Sequence, residues 1–264
     1  IKDIKHIKNI KHKSIKTKKQ PSKTKKSSIK TKSTPQIQTK DHVEAFTKVY
    51  ENNIWGDNND SNYEGSSGTG SDIKYNIKTY VPFLKHFIKK YKIKNVVDLG
   101  SGDFLVGLLI YDKMGVNYTG YDAYKTLVDF NNKKYEGYGD YKFIHSDFRA
   151  PGEREKIVPA ELCILKDVVQ HWPTADIIDF IDYLVESKKF KYILLINCFT
   201  GNPENNATHR TNIKPGEFSA LSSKTYPLNK YNLEVIYTWD TKEVSLLSIK
   251  QFDDKKLSRH ISSI

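Results

Sequence analysis

The sequence has few of the residues that hold a fold together covalently or through metals. Among its 264 residues there are two cysteines, Cys163 and Cys198, and both lie in apolar runs. Two cysteines cannot form a disulfide framework or a zinc cluster, so no metal site is implied and we expect a reduced, intracellular protein. The sequence also lacks a run of about 18 apolar residues and an apolar secretory signal, and we therefore expect neither a membrane span nor secretion.

The first 40 residues lack aromatic side chains and almost lack acids. They contain 14 Lys, seven Ile and one acidic residue, Asp3, which gives a local charge of +13 within a net charge of +12. Residues 41–264 hold 29 basic and 30 acidic residues, a balance of −1. A segment so charged and so poor in large apolar groups cannot bury enough surface to offset its ordering entropy. We therefore predict a disordered basic tail over residues 1–40 and one folded domain over residues 41–264.

The tail repeats an Ile-Lys unit, and two interpretations of it stay open. A run of lysines can bind nucleic acid or another polyanion by releasing counterions, or it can direct a protein to the nucleus. It can also be a solvated low-complexity extension without a partner. The whole sequence is rich in Lys, Ile, Asn and Tyr, as a compositional bias would make it. We therefore favour the solvated extension.

Beyond the tail, apolar strands alternate with amphipathic helices. The predicted elements are a helix over 41–54, a loop over 55–71, a helix over 76–91, strands at Asn95–Leu99, Val116–Gly120, Tyr141–His145, Glu161–Lys166 and Tyr192–Asn197, helices over 104–111, 124–134 and 174–187, and a closing hairpin of Leu233–Trp239 and Val244–Ile249. We expect Thr174 to cap the helix that runs through Ser187. Buried apolar strands separated by helices indicate an α/β fold with a mostly parallel sheet covered on both faces. Ligands of such sheets bind beyond the carboxyl ends of the strands.

Polar residues follow four of the predicted strands. The first strand leads into Gly100-Ser101-Gly102, a turn in which the backbone can approach a ligand. The second strand leads to Asp122, an acceptor for ribose hydroxyls, and the third to Asp147, an acceptor for a purine amine. The fourth ends at Lys166-Asp167. Four polar strand ends in this order predict a site for a cofactor that contains a nucleoside.

The glycine turn distinguishes between two such cofactors. A dinucleotide site has a third glycine three residues after the second, and Leu105 stands there instead. NAD-linked redox chemistry is therefore a weak alternative. In a site for S-adenosylmethionine, Asp98, two residues before the turn, is well placed to meet the ammonium of the methionine part, directly or through water.

These segments together resemble the class I S-adenosylmethionine-dependent methyltransferases over residues 75–250. Val96 to Asp103 resembles their motif I, Tyr121-Asp122 their ribose acid, Ser146-Asp147-Phe148 their adenine-contacting segment, and Cys163 to His171 the segment after their fourth strand. The resemblance implies a Rossmann-like, seven-stranded sheet with an antiparallel hairpin at its end. It also implies S-adenosylmethionine as cofactor, with Asp98, Gly100, Ser101, Gly102, Asp122, Asp147, Phe148 and Lys166 around it.

A narrower resemblance covers the segment before motif I. Trp55-Gly56 followed by a Ser/Gly-rich loop over 65–71 is similar to a subgroup of small methyltransferases in which such a loop precedes motif I. We expect Trp55 and this loop to close over the cofactor, although a mobile surface loop would have the same composition. The chain departs from this subgroup at Glu217 and Ser219, where a second Gly and an Arg are expected.

Methyl transfer to an oxygen also needs a base. His171 is the first candidate, because it follows the fourth strand and its ordinary pKa of about 6.5 suits the task. It can equally pack the start of the next helix with Trp172. Asp167 is the second candidate, with orientation of the cofactor as its alternative role. His209-Arg210 can meet an anionic acceptor or lie in a solvated loop.

Three functions remain in view. The favoured one is O-methylation of a small molecule such as a sugar or glycan hydroxyl by a cytoplasmic enzyme, since the folded part shows no excess of basic residues for RNA. The second is a nucleic-acid or protein methyltransferase that holds its substrate with residues 1–40 and enters the nucleus. The third is a non-catalytic binding module of the same fold. The oligomeric state is open.

Overall fold

The computed structural model describes residues 40–58, 62–199 and 212–250. Residues 1–39 of the predicted tail and His209-Arg210 lie outside these residues, whereas Lys40 already belongs to the first helix. The helices are α1 (Lys40–Glu51), α2 (Ile73–Asn76), α3 (Tyr80–Tyr91), α4 (Leu105–Tyr111), α5 (Lys125–Lys134) and α6 (Thr174–Ser187). The strands are β1 (Asn95–Leu99), β2 (Asn117–Asp122), β3 (Tyr141–His145), β4 (Ala160–Lys166), β5 (Phe190–Cys198), β6 (Glu234–Trp239) and β7 (Lys242–Ser248). Within the described ranges, none of the helices has the length and apolar character needed to cross a membrane.

The seven strands form a single sheet in the order β3-β2-β1-β4-β5-β7-β6. The first five of these strands are parallel, whereas β7 runs antiparallel to both β5 and β6. The chain starts in the middle at β1, builds outwards through β2 and β3, and then returns to the other side with β4. This arrangement confirms the predicted fold class, and its switch point lies between β1 and β4.

Helices cover both faces of the sheet. Successive residues of a strand point to opposite faces, so sequence neighbours pack in different clusters. On one face, Val96 of β1 and Ile164 of β4 pack in the cluster that includes Leu84 of α3 and Ile110 of α4. On the other face, their sequence neighbours pack in a second cluster with α6, namely Val97, Cys163, Leu165, Ile177, Phe180 and Ile181. Burial on both faces explains why these strands read as continuous apolar runs rather than as alternating ones.

Two predicted boundaries are wrong in an informative way. The helix predicted over 76–91 is two helices, α2 and α3, with a turn between them, and Asn76 belongs to the first. Thr174 is not the cap of α6 but its first residue, because Pro173 occupies the cap position. The backbone N–H of Thr174 donates instead to Oδ1 of Asn212, at 2.9 Å. A side chain distant in sequence therefore provides the hydrogen bond that a local cap would make.

Candidate functional site

A cavity opens at the carboxyl edge of the parallel strands, around the switch point between β1 and β4. All nine residues assigned from the sequence to the cofactor site line it: Trp55, Asp98, Gly100, Ser101, Gly102, Asp122, Asp147, Phe148 and Lys166. Asp167 lines it as well. His171 is absent from the described lining residues. The parallel topology explains this convergence, because residues that directly follow parallel strands meet at one edge.

The glycine turn forms the floor of the cavity. Gly100 and Gly102 adopt positive φ angles of 87° and 55°, which are strained for residues that carry a side chain. A Cβ atom at Gly100 would collide with the side chain of Val168, and one at Gly102 would lie 2.6 Å from Oγ of Ser67. The turn therefore brings bare backbone to the cavity wall, as close contact with a ligand requires.

Asp98 presents an unused acceptor at this floor. The hydroxyl of Tyr118 donates to its Oδ2 at 2.9 Å, whereas its Oδ1 is buried without a hydrogen-bond partner. Burial raises the pKa of Asp98 to about 7, against the opposing effects of Tyr118 and the Lys166 ammonium. A buried acceptor of this kind is costly unless a donor completes it. A ligand with a cationic N–H group would supply that donor.

Asp122 ties the end of β2 to the glycine turn. Its Oδ2 accepts from the backbone N–H of Gly102 at 2.9 Å, and its Oδ1 accepts from that of Tyr124 at 3.1 Å. Burial raises the pKa of Asp122, while these two N–H groups oppose the rise. Each carboxylate oxygen can accept a second hydrogen bond. The side chain is thus held in one orientation and retains capacity for ligand hydroxyls.

Asp147 and Phe148 form the wall beyond β3. The Oδ2 of Asp147 is buried without a hydrogen-bond partner, which leaves a second unused acceptor at the cavity. Phe148 is buried and contacts the rings of Trp172 and Phe180, with centroids 5.9 and 5.8 Å away. Phe148 therefore provides an apolar surface that the core holds rigidly beside a polar acceptor. This combination suits a flat polar ring.

Asp167 is held between two lysines at the end of β4. The Lys166 ammonium donates to its Oδ2 at 2.7 Å, and Lys242 at the start of β7 donates to its Oδ1. Burial alone would raise the pKa of Asp167, but the two ammonium groups lower it to about 2. A carboxyl group with this pKa has little capacity to take a proton near neutral pH. The geometry favours the orienting role of Asp167 over the role of base.

His171 lies behind Trp55. Its ring centroid is 4.9 Å from that of Trp55, which lines the cavity. Its Nδ1 is 3.1 Å from the carbonyl oxygen of Glu217, and its Nε2 is 3.3 Å from Nε2 of Gln170. A carbonyl can only accept, so in the neutral ring Nδ1 carries the proton and Nε2 accepts from the Gln170 amide. In this arrangement the basic nitrogen points to Gln170.

The loop over 65–71 is fastened across the glycine turn. Oγ of Ser67 accepts from the backbone N–H of Asp103 at 3.0 Å and is 2.9 Å from the hydroxyl of Tyr50. Oγ of Ser71 donates to Oδ2 of Asp103 at 3.0 Å, and the carbonyl of Gly70 accepts from Lys166 at 2.6 Å. Ser67, Gly70 and Ser71 also line the cavity. The loop is thus hydrogen-bonded to the segment that follows the glycine turn and forms part of the cavity lining.

Sequence reasoning missed the lining residues that come from elsewhere in the chain. From α1, the cavity receives His42, Phe46 and Tyr50, and from α3 it receives Tyr80. The apolar stripe of α1 includes Phe46 and Tyr50, but it shows only that one helix face is buried and not what it meets. No sequence pattern predicts that His42 lines the cavity or that Lys242 contacts Asp167. Both depend on contacts between segments far apart in sequence.

Comparisons with known proteins agree on the fold. No family model matches the sequence, and a search of curated proteins gives no match. Among solved structures, the N-terminal domain of EvdMO1, determined in the presence of S-adenosylhomocysteine and D-fucose, has a TM-score of 0.51 at 11% identity, with 71% of this chain and 86% of that chain covered.

Two further solved structures are similar to this chain in their fold. An O-methyltransferase family protein from Burkholderia thailandensis has a TM-score of 0.51 at 10% identity, covering 68% of this chain and 57% of that chain. The methyltransferase domain of bacterial CtHen1-CN has a TM-score of 0.50 at 12% identity, covering 65% and 98%. The chain therefore has the Rossmann-like fold of S-adenosylmethionine-dependent methyltransferases.

Proposed function

We propose that the protein is an S-adenosylmethionine-dependent methyltransferase that methylates a hydroxyl group of a small molecule such as a sugar. The observation that carries this proposal is the unused, buried Oδ1 of Asp98 at the glycine turn. It sits where the ammonium of the methionine part would lie if the cofactor followed the strand ends. The fold is the one that the three compared structures share.

The charge of the cavity supports this cofactor over a dinucleotide. Its lining includes five aspartates, namely Asp98, Asp103, Asp122, Asp147 and Asp167, against one lysine, Lys166. Lys242 adds a second cation behind Asp167. S-adenosylmethionine carries a sulfonium and an ammonium against one carboxylate, so an acidic cavity attracts it. A dinucleotide would bring the two negative charges of a pyrophosphate into the same cavity.

Each strand end has a separate task in this proposal. Asp98 accepts from the ammonium, Asp122 from the ribose hydroxyls, and Asp147 from the exocyclic amine of the adenine, which lies against Phe148. Gly100, Ser101 and Gly102 approach the ligand with their backbone, and Lys166 offers a cation to its carboxylate. The cofactor supplies an electrophilic methyl group, and the protein supplies alignment and the exclusion of water by Trp55 and the loop over 65–71.

For the acceptor, we favour a sugar hydroxyl. The EvdMO1 domain was determined with D-fucose, and another compared structure is of an O-methyltransferase family protein. The near-zero charge of residues 41–264 offers no excess of cations for a nucleic acid. The hydroxyl proton needs an acceptor, and His171 remains our candidate. It would act after Trp55 and Gln170 shift, so that Nε2 reaches the cavity.

Calorimetry tests the cofactor assignment. We expect S-adenosylhomocysteine to bind the full chain and NAD not to bind. We further expect Asp98→Ala and Asp122→Ala to abolish binding of S-adenosylhomocysteine, while Asp140→Ala, at an exposed loop position, leaves it unchanged. Binding of NAD but not of S-adenosylhomocysteine would replace the proposal with redox chemistry. Binding without methyl transfer to any acceptor would leave a non-catalytic module.

A methyl-donor assay with product masses tests the acceptor. The panel contains nucleotide sugars and free sugars, RNA, and protein, and each is offered to the full chain and to a form that lacks residues 1–39. We expect a mass gain of one methyl group on a sugar, with equal turnover by both forms. Methylation of RNA or protein that is lost with the tail would favour the second function. Fluorescent fusions of the two forms show whether the protein stays in the cytoplasm or enters the nucleus through its tail.

A further inference from the structure

Arg149 is a fully buried charged side chain next to the cavity. It is 1% exposed, and its Nε, Nη1 and Nη2 make no hydrogen bond within the described structure. The nearest negative charges are Oδ2 of Asp176, 3.5 Å from Nη1, and Oδ2 of Asp147, 3.9 Å from Nη2. A guanidinium keeps its charge even when buried, so it must be balanced by these two carboxylates.

Asp147 is the carboxylate that connects this pair to the cavity. It lines the cavity, and its Oδ2 has no hydrogen-bond partner. Burial raises the pKa of Asp147, and the Arg149 guanidinium is the first influence that lowers it again, followed by His42. Without the Arg149 guanidinium, the largest influence that opposes burial would be lost, while His42 and the backbone N–H groups of residue 149 and Ala150 would remain. The pKa of Asp147 would then rise further.

Asp176 fixes Arg149 from the opposite side. It lies in the first turn of α6, where the helix dipole favours a negative charge. Its Oδ2 is 2.7 Å from Nε2 of His42, a residue of α1 that lines the cavity. The rings of His42 and Trp172 pack nearly perpendicular to each other, with centroids 5.8 Å apart. Arg149 therefore lies between Asp176, which contacts His42 of α1, and Asp147, which lines the cavity.

We propose that Arg149 is a positioning residue that selects the amino group of the cofactor's adenine by keeping Asp147 ionised. This inference rests on the proposed function, because it takes adenine as the ring beside Asp147. An ionised carboxylate can only accept, so it favours an amine at the purine C6 position and disfavours a carbonyl there. A protonated carboxyl can donate to that carbonyl. The charge of Asp147 thus decides between an amino and an oxo purine, and Arg149 sets that charge.

The test compares two ligands by calorimetry, S-adenosylhomocysteine and its 6-oxo analogue, in which hypoxanthine replaces adenine. The wild-type chain should prefer the amino form, and Arg149→Met should lower the ratio of the two affinities by at least about tenfold. Arg149→Lys, which keeps the charge, should retain more of the ratio. Arg154→Met is the matched control, because Arg154 pairs with Asp179 at 2.7 Å and does not line the cavity.

Thermal unfolding of each variant accompanies the calorimetry, since a buried arginine can also stabilise the fold. If Arg149→Met does not fold, Arg149→Gln carries the same prediction, because its neutral amide can still hydrogen-bond to the carboxylates. If the ratio of the two affinities is unchanged in a folded neutral variant, or if the affinity for both ligands falls equally, the role of Arg149 is overturned and the proposed function still stands. Failure of the wild-type chain to bind S-adenosylhomocysteine overturns the proposed function and this inference with it.

Discussion

Asp98 is expected to destabilise the ligand-free protein at neutral pH, so that Asp98→Asn should make it more stable. The carboxyl has a pKa of about 7 in the folded state against an ordinary value of 3.8. The pKa of Asp98 is higher in the folded state than in the unfolded state, so the unfolded state loses its proton first as the pH rises. The free energy of unfolding is therefore unaffected below pH 3.8 and falls as the pH rises to 7. At 1.36 kcal/mol per pKa unit, the loss is at most about 4 kcal/mol, of which about 2 kcal/mol develops between pH 5 and pH 7.

Asparagine removes this loss while keeping the local contacts. Its side-chain oxygen can still accept from the hydroxyl of Tyr118, and its amide is neutral at every pH. Chemical denaturation at pH 5 and pH 8 measures the free energy of unfolding of both forms. We expect the free energy of unfolding of Asp98→Asn to exceed that of the wild type at pH 8. At pH 5 this difference should be smaller by up to about 3 kcal/mol. Asp140→Asn, the same change at an exposed loop position, should show no such pH dependence.

The same substitution should weaken the binding of S-adenosylhomocysteine, because the ammonium then loses its anionic partner. A site residue that costs stability and provides binding is a recognised trade-off. A variant that is less stable than the wild type at pH 8, or a stability difference that is identical at both pH values, would refute this account of Asp98. In that case, water or a counter-charge satisfies its Oδ1 without a ligand.

Three further changes test the lid and the groups at β4. Gly70→Ala would push a Cβ against Oδ2 of Asp167 and displace the lid, so calorimetry should show S-adenosylhomocysteine binding about tenfold weaker, and unchanged affinity would mean that the loop is not a lid. Asp167→Asn should lower the free energy of unfolding by about 3–5 kcal/mol at pH 7, since Lys166 and Lys242 lose their shared counter-charge. With a folded pKa of about 2, the contribution of Asp167 is present above pH 3.8 and fades as the pH falls towards 2, so a loss that persists at pH 2 would contradict its electrostatic origin. His171→Ala should leave S-adenosylhomocysteine affinity unchanged and slow methyl transfer, whereas normal turnover would make His171 structural.

The strand ends could be predicted from the sequence because topology does most of the positioning. Once Asn95–Leu99 and the apolar runs after it are read as parallel strands, Asp98, Asp122 and Asp147 must arrive at one edge. The structure places all three around one cavity. The roles of Gly100 and Gly102 can likewise be predicted, since few residues other than glycine suit a tight turn after a strand. These parts depend on local pattern and on a regular fold.

The remaining parts of the site depend on pairing and packing that no local pattern encodes. Lys242 reaches Asp167 because β7 pairs antiparallel with β5, which sets Lys242 opposite Cys198. No local pattern marks Arg149 as buried, since charged side chains are rarely fully buried. The sequence predicts the place of His171 only from its distance along the chain after β4. That distance does not reveal Trp55 between His171 and the cavity.

The α1 segment has a consequence for what counts as the minimal working unit of this protein. A fragment that begins at β1 would retain the whole sheet and the glycine turn. It would lack His42, Phe46, Tyr50 and Trp55, which together form a wall of the cavity. In such a fragment, the cofactor site would be open to solvent on the side that these residues close. Shortening the chain from its amino end should therefore be tolerated up to residue 39 and become damaging within a few residues, at His42, long before the first strand is reached.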